Sequence, residues 1–170
     1  MISDETVSPT APTGAEATPP SNGDADATRS LRLEDQLCFA AYSVAQAFNR
    51  VYKPQLDRLG LTYPQYLALL VLWDRDDRTV KQIGDQLNLD SGTLTPLLKR
   101  LEAAGIVRRT RDVHDERQVR ISLTDKGRSL KEPAADTRSG VACATGMSIE
   151  QIEALRRHLI ELRDTLNHVL

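Results

Sequence analysis

Cysteine is scarce in this chain, and its scarcity limits the chemistry that the sequence can encode. Among 170 residues there are two cysteines, Cys38 and Cys143, and no CxxC pair. This spacing matches no zinc motif, and His114, His158 and His168 add no ligand spacing. We therefore expect no metal site, no cofactor and two free thiols at rest in a reducing compartment, where a disulfide would be an event rather than a permanent cross-link.

Long apolar runs are also missing. No stretch is long enough to cross a bilayer, and the N-terminus lacks the basic region and apolar core of a signal peptide. We therefore expect a cytoplasmic protein that does not enter a membrane. Residues 1–30 have four prolines, one basic residue and few large apolar side chains, so we expect them to be a disordered tail.

Aromatic residues are few and unevenly placed. The chain has one tryptophan, four tyrosines and two phenylalanines, and none of them follows Trp73. All but that tryptophan lie between Leu37 and Tyr66, in the segment that also holds Cys38. A thiol among phenols and apolar rings is a place where reactive chemistry can be buried and hydrogen-bonded.

Helical periodicity predicts the first elements. Apolar residues recur at steps of three and four over residues 33–53, and Pro54 is expected to end or kink this helix. A short helical turn over residues 55–59 is followed by Gly60 as a helix breaker. Thr62 is the predicted N-cap of a second helix. Its buried face is predicted to hold Tyr66, Leu69, Leu70 and Trp73.

The central segment, which follows a polar loop, is predicted to be two helices around a tight turn. Residues 80–87 form the first helix, and residues 88–89 make the turn. Asp90 or Ser91 caps the second helix, which is expected to continue to Ala104. Its leucines are expected to be buried: Leu94, Leu97, Leu98 and Leu101.

A β-hairpin is predicted next. Residues 106–111 and 118–123 are the strand candidates, with Val107 paired to Ile121. Helix, turn, helix and hairpin in this order form the winged-helix arrangement, in which the second helix enters the major groove of DNA and the hairpin reaches the minor groove. Over residues 97–128, nine basic residues outnumber five acidic ones, inside a chain of formal net charge −2. Charge alone would favour a solvated surface, but a basic surface on a winged helix favours nucleic-acid binding.

Two long helices complete the predicted chain. Thr124 is expected to cap a helix that reaches about Cys143 with a bend at Pro133, and Ser148 with Gln151 forms a capping box for the last helix. The first and last helices both carry apolar stripes that one small domain cannot easily cover. They either pack on each other or, as we favour, form a dimer interface.

The second helix of the central pair offers side chains suited to DNA. Ser91, Thr93 and Thr95 are small donors and acceptors for base edges or phosphates, while Lys99 and Arg100 can meet phosphate oxygens.

At the hairpin tip, Arg117 is expected to enter the minor groove while Asp115 orients its guanidinium. The alternative for this pair is a solvated loop salt bridge, worth under about 1 kcal/mol. The preceding helix pair favours the DNA-binding interpretation.

Residues 80–127, which include LDSGTLTPLLKRLEAAGIVRR and DERQVRISLTDKG, resemble the MarR family of winged-helix transcription factors. The resemblance covers residues 31–170 and implies a mainly α fold with a small β-hairpin, in an intertwined α-helical homodimer that binds near-palindromic, double-stranded operator DNA. It implies helical dimerisation regions at 31–73 and 124–170 around a winged helix-turn-helix at 74–123. The DNA-binding residues that it implies are Asp90, Ser91, Thr93, Thr95, Pro96, Lys99, Arg100, Asp115 and Arg117.

The effector must be sought near Cys38. Tyr42 lies one helical turn later on the same face, whereas Tyr52, fourteen residues on, lies about 21 Å away along a straight helix. Tyr52 therefore cannot touch its own Cys38, but it can touch that of a partner whose first helix crosses antiparallel, and Tyr63 can reach the same place. Hydroxyls bonded to sulfur favour the thiolate, the form that attacks peroxides.

This pattern resembles the organic-hydroperoxide resistance regulators, the OhrR-type branch of the same family. The resemblance implies that Cys38 is the peroxidatic cysteine, bonded by Tyr52 and Tyr63 of the other subunit with Tyr42 in the pocket, and that Cys143 is a resolving cysteine. It implies a repressor rather than an enzyme. It further implies that an organic hydroperoxide oxidises Cys38 and that an intersubunit disulfide to Cys143 then releases the DNA.

Other functions stay open from the sequence. One is a regulator of the same family that is released by reversible binding of a small aromatic acid or phenol. Another is a thiol peroxidase that uses both cysteines, and a third is a winged-helix protein-interaction module that binds no DNA. Cys143 as an unreactive, small apolar residue is a further alternative.

Overall fold

A computed structural model of the protein describes residues 31–113 and 115–169, with the backbone alone over residues 136–142. The predicted disorder of residues 1–30 lies outside the described residues, and so does His114. Among the helices of the described segments, none is long and apolar enough to cross a membrane.

The chain forms two compact units, Met1–Ser43 and Val44–Leu170. The described part of the first unit holds a 3₁₀ turn, Leu33–Asp35, and the start of helix α1, Leu37–Arg58. The second unit holds the rest of α1 and every later element.

Helix α1 continues through Pro54 to Arg58, so a helix end at Lys53 and a separate turn over residues 55–59 are wrong, and the two segments are one helix. The turn that contains the proline is held in two ways. Lys53 and Asp57 form an ion pair across it at 2.8 Å, and Leu56 is 1% exposed. Burial of the Leu56 side chain offsets the backbone hydrogen bond that proline cannot donate.

Helix α2, Tyr63–Asp74, follows a break at Gly60, whose φ of 68° confirms the predicted breaker. Thr62 is the N-cap as predicted, and its amide donates to Oε1 of Gln65 at 2.8 Å. The predicted buried face is wrong at Leu70, which is 42% exposed, because the step of about 100° per residue turns it away from that face. The buried members are Tyr66, Ala68, Leu69, Leu72 and Trp73.

The helix-turn-helix is confirmed. Helix α3, Val80–Leu87, ends at Asn88, which is left-handed at φ 52° and ψ 44°. Asparagine tolerates this conformation, so the turn needs no glycine. Asp90 is the N-cap of helix α4, Ser91–Ala103, which accommodates Pro96. The four predicted leucines are buried: Leu94, Leu97, Leu98 and Leu101.

The predicted hairpin is confirmed as part of a larger sheet. Strands β2, Val107–Arg111, and β3, Val119–Leu123, pair antiparallel, and β1, Arg78–Thr79, adds a third strand beside β3. Sequence analysis placed Arg78 in a polar loop over residues 74–78, because two polar residues carry no alternation that would mark a strand.

The predicted register of the hairpin is wrong by two residues. Val107 lies opposite Leu123, and Ile121 lies opposite Arg109. A shift of two keeps every side chain on the same face of the sheet, so the apolar pattern cannot distinguish the two pairings.

The predicted single helix after the hairpin is two helices, α5 over Asp125–Ser129 and α6 over Lys131–Ala144. The break lies at Leu130 rather than at Pro133. Pro133 occupies the first turn of α6, where the amide it lacks would have no helical acceptor. Thr124 caps α5 as predicted.

Helix α7, Ile149–His168, ends the described chain. Its predicted capping box is confirmed, because the Ser148 amide donates to Oε1 of Gln151 at 2.8 Å. None of its residues is buried, and Leu155, Leu159 and Leu166 are 44%, 49% and 58% exposed.

The core lies in the second unit, between α2, α4 and the sheet. Trp73 joins it to α5, since its indole N–H donates to the Gly127 carbonyl at 2.9 Å. A side chain at Gly127 would put its Cβ 2.1 Å from the Ile106 carbonyl oxygen, so only glycine allows this approach. The largest fully buried side chains are Leu56, Leu69, Leu72, Ile83, Leu94, Leu98, Leu101 and Ile121.

Candidate nucleic-acid interface and thiol site

Asp90 organises the N-terminus of α4. Its Oδ1 accepts the Thr93 backbone amide at 2.9 Å, and its Oδ2 accepts the Thr93 hydroxyl at 2.8 Å. These bonds hold the pKa of Asp90 below its usual value, so the carboxylate is charged at neutral pH. Because the Thr93 hydroxyl donates its proton to Asp90, its oxygen can accept a further hydrogen bond but the hydroxyl cannot donate one to DNA.

A cleft of about 540 Å³ lies between α3, the N-terminus of α4 and the wing, residues 107–123. It brings together predicted residues from both halves of the winged helix. Lys81 and Arg109, which sequence analysis did not single out, also line it. The position of Lys81 in the first turn of α3, the helix that precedes α4, is a signal that could have identified it. The predicted members of the lining are Asp90, Ser91, Thr95 and Arg117.

The other predicted DNA-binding residues lie outside the cleft lining. Lys99 and Arg100 are exposed on α4, directly after the buried Leu97 and Leu98. Their position on the outer face leaves them free to meet phosphates that flank the groove. The full set outside the lining is Thr93, Pro96, Lys99, Arg100 and Asp115.

At the wing tip, Asp115 does not hold the Arg117 guanidinium as predicted. Its Oδ1 accepts the backbone amide of Arg117 at 3.0 Å, and its Oδ2 accepts Nε2 of Gln118 at 3.0 Å. The carboxylate shapes the turn instead, because backbone amides two residues on are closer than a flexible side-chain end. No ion pair of Arg117 occurs within the part of the chain that the structure describes.

Arg120, on β3, joins two acidic residues that are far apart in sequence. Its Nε and Nη2 donate to the two carboxylate oxygens of Asp77 at 2.9 and 2.8 Å, and Nη2 also donates to the Asp77 carbonyl at 2.6 Å. Its Nη1 donates to Oδ2 of Asp112 at 3.0 Å. These carboxylate bonds raise the pKa of Arg120 above its ordinary value. Sequence analysis missed this cluster because 43 positions separate Arg120 from Asp77.

The pairing redistributes the basic charge. Three of these arginines are paired with acidic residues. Arg120 pairs with Asp77 and Asp112, Arg128 pairs with Asp76, and Arg109 pairs with Glu102 at 3.4 Å. The remaining basic residues of 97–128 have no acidic partner among the described residues, and they are the ones left for phosphates. They are Lys99, Arg100, Arg108, Arg111, Arg117 and Lys126.

In the first unit, Cys38 and Tyr42 lie one turn apart on α1. Cys38 is exposed, and Tyr42 is 61% exposed. An exposed thiol is accessible to a peroxide.

In the second unit, Tyr52 and Tyr63 are brought together as an aromatic cluster. Their ring centroids are 4.9 Å apart, and Tyr66 lies 5.7 Å from Tyr52 and 6.2 Å from Trp73. Burial, and secondly the neighbouring Tyr52, raise the pKa of Tyr63. Its hydroxyl therefore stays protonated at neutral pH and can donate a hydrogen bond to a sulfur or oxygen acceptor.

Cys143 is exposed near the end of α6. The next two residues, Ala144 and Thr145, line an apolar groove of about 170 Å³ with four residues of α1. Within residues 31–113 and 115–169, no three His, Cys, Asp or Glu side chains are grouped to hold a metal ion. The α1 residues of the groove are Val44, Ala47, Phe48 and Val51.

The sequence of this chain is similar to those of known transcriptional regulators. Residues 50–133 match the family described as "Transcriptional regulator SarA/Rot". The chain is 56% identical over 135 residues to the HTH-type transcriptional regulator TtmR of Methylorubrum extorquens, covering 79% of this chain and 69% of that protein. It is 48% identical over 137 residues to the organic hydroperoxide resistance transcriptional regulator of Bacillus subtilis, covering 81% of this chain and 93% of that protein.

A solved relative is similar over most of the fold. Reduced AbfR bound to DNA has a TM-score of 0.69 and 38% identity, covering 88% of this chain and 99% of that one. The disulfide form of AbfR has a TM-score of 0.55 and 39% identity, covering 84% of this chain and 98% of that one.

Proposed function

Because this chain belongs to the MarR family of winged-helix transcriptional regulators, we propose that it represses transcription as a DNA-bound homodimer and is released from DNA by organic hydroperoxides. The observation that carries the proposal is the cleft that places the N-terminus of α4 beside Arg117 of the wing. Its relatives are regulators rather than enzymes.

The DNA-binding half of the proposal follows from the groove geometry of the winged helix. Helix α4 enters the major groove, where Ser91 and Thr95 face base edges and Lys99 with Arg100 meets phosphates. Arg117 reaches the adjacent minor groove. The relative AbfR, which has been solved bound to DNA in its reduced form, supports this assignment.

Dimerisation is supported by apolar side chains that the single chain leaves uncovered. Helix α7 has no buried residue, and Leu155, Leu159 and Leu166 remain 44%, 49% and 58% exposed. A stripe of this length is unfavourable in water and is stabilised by a second copy. Two copies related by a two-fold axis present two winged helices, which matches a near-palindromic operator.

The sensor half rests on Cys38 and the paired tyrosines. In the dimer, Tyr52 and Tyr63 of one subunit donate hydrogen bonds to the Cys38 sulfur of the other, with Tyr42 beside it. The 4.9 Å separation of the two rings and the protonated state of Tyr63 support this role. The resemblance to a regulator of organic hydroperoxide resistance supports the choice of oxidant.

The chemistry begins with the Cys38 thiolate attacking the terminal oxygen of the hydroperoxide ROOH. The O–O bond breaks, an S–O bond forms, and the alkoxide leaves as the alcohol ROH after taking a proton. Cys38 is oxidised to sulfenic acid and the peroxide is reduced. The Cys143 thiol of the partner subunit then attacks the sulfenic sulfur, so that a disulfide forms and water leaves.

This disulfide is proposed to move α1 against α6 and withdraw Cys38 from Tyr52 and Tyr63. The spacing between the two winged helices then no longer matches one face of the duplex, and operator affinity falls. A disulfide form of the relative AbfR has been solved, which supports the step.

The test uses the full chain and a labelled duplex that the wild-type protein selects from a random-sequence pool. One equivalent of cumene hydroperoxide is added, and duplex binding, intact mass and mobility on non-reducing gels are measured together. We expect release from DNA with a disulfide-linked dimer for wild type. We expect a sulfenic or further oxidised monomer band for Cys143→Ser and no response for Cys38→Ser.

Two results would contradict the proposal. One is a Cys38→Ser variant that cumene hydroperoxide still releases from the duplex, which would favour reversible ligand binding in a pocket. The other is a wild-type protein that cumene hydroperoxide oxidises but does not release from the duplex, which would favour the thiol peroxidase.

A further inference from the structure

We propose that Arg120 is a positioning residue: it fixes the wing relative to the helix-turn-helix so that Arg117 and α4 contact DNA together, without contacting DNA itself. The inference rests on the proposed DNA-binding function. It concerns a residue that charge counting alone assigns to the phosphate-binding surface.

The Arg120 guanidinium joins both sides of the winged helix. Asp77 lies directly before β1, which leads into α3, whereas Asp112 directly follows β2, where the loop of the wing begins. Arg120 bonds both oxygens of the Asp77 carboxylate, and at 3.0 Å it bonds Oδ2 of Asp112. One side chain therefore ties the entry of the helix-turn-helix to the hairpin. We call this cluster of Asp77, Arg120 and Asp112 the clasp.

The connection continues from Asp112 to the tip of the wing. The Asp115 amide donates to Oδ1 of Asp112 at 3.3 Å, and the Arg117 amide donates to Oδ1 of Asp115 at 3.0 Å. A continuous series of hydrogen bonds therefore runs from Arg120 through two carboxylates to the backbone of Arg117. Loss of the hydrogen bond between Arg120 and Asp112 is expected to make the turn that carries Arg117 more mobile.

Direct contact between Arg120 and DNA is disfavoured by the same geometry. Each of its three guanidinium nitrogens already has an acceptor at 2.6 to 3.0 Å. The carboxylates of Asp77 and Asp112 also oppose its charge. A phosphate would have to displace a bidentate carboxylate, which is a strong and specific partner of arginine.

Asp77 itself is held in an unusual conformation. Its φ is 58°, in the left-handed region that Asp and Asn tolerate better than other side chains. Asp77→Asn therefore keeps the backbone while it removes the charge, and it tests the clasp from the opposite side.

The first experiment is a double-mutant cycle on the duplex selected by the wild-type protein, with affinity measured over a series of salt concentrations. Arg120→Gln is expected to weaken binding by about tenfold in the wild-type background and by less than about twofold in an Arg117→Ala background. The slope of log affinity against log salt is expected to stay unchanged for Arg120→Gln. For Arg117→Ala the slope is expected to decrease in magnitude by about one.

Matched variants separate positioning from charge and from folding. Lys53→Gln removes one cation from an exposed ion pair on α1 and is expected to leave binding unchanged. Asp112→Asn removes only the wing side of the clasp and is expected to reproduce the Arg120→Gln effect. Arg120→Lys keeps the charge but cannot bridge two carboxylates, so it is expected not to restore affinity.

The second experiment needs no DNA. Hydrogen exchange of the wing amides over residues 107–119 is expected to become faster in Arg120→Gln and in Asp112→Asn, while exchange in α4 and the thermal midpoint stay close to those of wild type. If Arg120→Gln does not fold, Asp112→Asn and Asp77→Asn carry the comparison.

The clasp is overturned if wing exchange is unchanged in the variants. It is also overturned if the full loss of affinity persists in the Arg117→Ala background, or if the salt slope falls by about one for Arg120→Gln. A wild-type protein that selects no duplex would contradict the proposed function, whereas the exchange measurement would still decide the clasp.

Discussion

Asp90 and Asp115 each use one carboxylate to shape a backbone that is proposed to contact DNA. Asp90 accepts the Thr93 amide at 2.9 Å at the start of α4, and Asp115 accepts the Arg117 amide at 3.0 Å in the wing. Acidic residues inside a basic surface are expected to weaken phosphate binding. Here the two carboxylates accept hydrogen bonds from backbone amides two or three residues later, so each one stabilises the local backbone.

The pH dependence of stability is expected to change when the charge at Asp90 is removed. The folded-state pKa of Asp90 is lowered, so its carboxylate contributes stability above about pH 4, and that contribution is lost as pH falls through the folded pKa. Asp90→Asn keeps an N-cap acceptor. Thermal midpoints between about pH 5 and pH 3 should therefore fall less steeply for Asp90→Asn than for wild type.

The control for this prediction is Asp164→Asn, at an exposed carboxylate paired with its neighbour Arg163 on α7. It removes one carboxylate without removing an N-cap, and the change in slope for Asp90→Asn is compared with it. An equal slope for Asp90→Asn and wild type would contradict the role given to the cap.

At the scale of elements, α2 and α5 are joined where an aromatic series meets the base of the wing. The series begins at Tyr52 and Tyr63 and reaches Trp73, whose indole donates to the Gly127 carbonyl at 2.9 Å. Lys131, at the start of α6, donates to the Trp73 carbonyl at 3.1 Å. Displacement of Tyr52 and Tyr63 is therefore expected to reach α5 through packed rings.

The contact of α5 with the sheet is predicted to be intolerant of any side chain at Gly127. Gly127→Ala puts its Cβ 2.1 Å from the Ile106 carbonyl, so α5 must move, and the free energy of unfolding is expected to fall by about 3 kcal/mol or more. Urea denaturation measures the loss.

Gly60→Ala is the matched control. Its Cβ would meet open space, although its φ is 68°, so it is expected to cost about 1 kcal/mol from backbone strain alone. Equal losses in the two variants would show that the close approach of α5 does not matter.

At the scale of the whole molecule, the apolar stripe of α7 and the two winged helices belong to one proposal. A single chain leaves Leu159 49% exposed and Leu166 58% exposed. Burial of these side chains by a second copy also supplies the second winged helix. Oligomeric state and DNA affinity are therefore expected to change together.

Leu159→Glu is predicted to convert the dimer to a monomer, because a carboxylate buried in an apolar interface lacks a partner. Sedimentation velocity should show the smaller species, and duplex affinity should fall by at least about tenfold because one winged helix now binds alone. Glu153→Lys, on the opposite face of α7 by helical spacing, is the control and is expected to remain dimeric. A Leu159→Glu protein that stays dimeric would contradict the interface.

Much of the fold was predictable from the sequence because its signals are local. The caps at Thr62, Asp90, Thr124 and Ser148 each depend on atoms within a few residues. The buried leucines of α4 follow from helical spacing. Side-chain types along α4 and the wing also indicated Ser91, Thr93, Thr95, Lys99, Arg100 and Arg117 as candidates for DNA binding. The roles of Asp90 and Pro96 and the redox roles of Cys38, Tyr52, Tyr63 and Cys143 were implied by the family resemblance.

Only the tertiary structure decided the features that depend on distant residues. The third strand, the hairpin register and the Asp77–Arg120 clasp join segments whose sequences carry no mark of the pairing. It also assigned Asp115 to the Arg117 amide rather than to its guanidinium. The sequence determined which residues are candidates to bind DNA or to react with peroxide, because that chemistry belongs to side chains. The fold decided which cations keep their charge available and which are neutralised, because electrostatic pairing depends on distance in space.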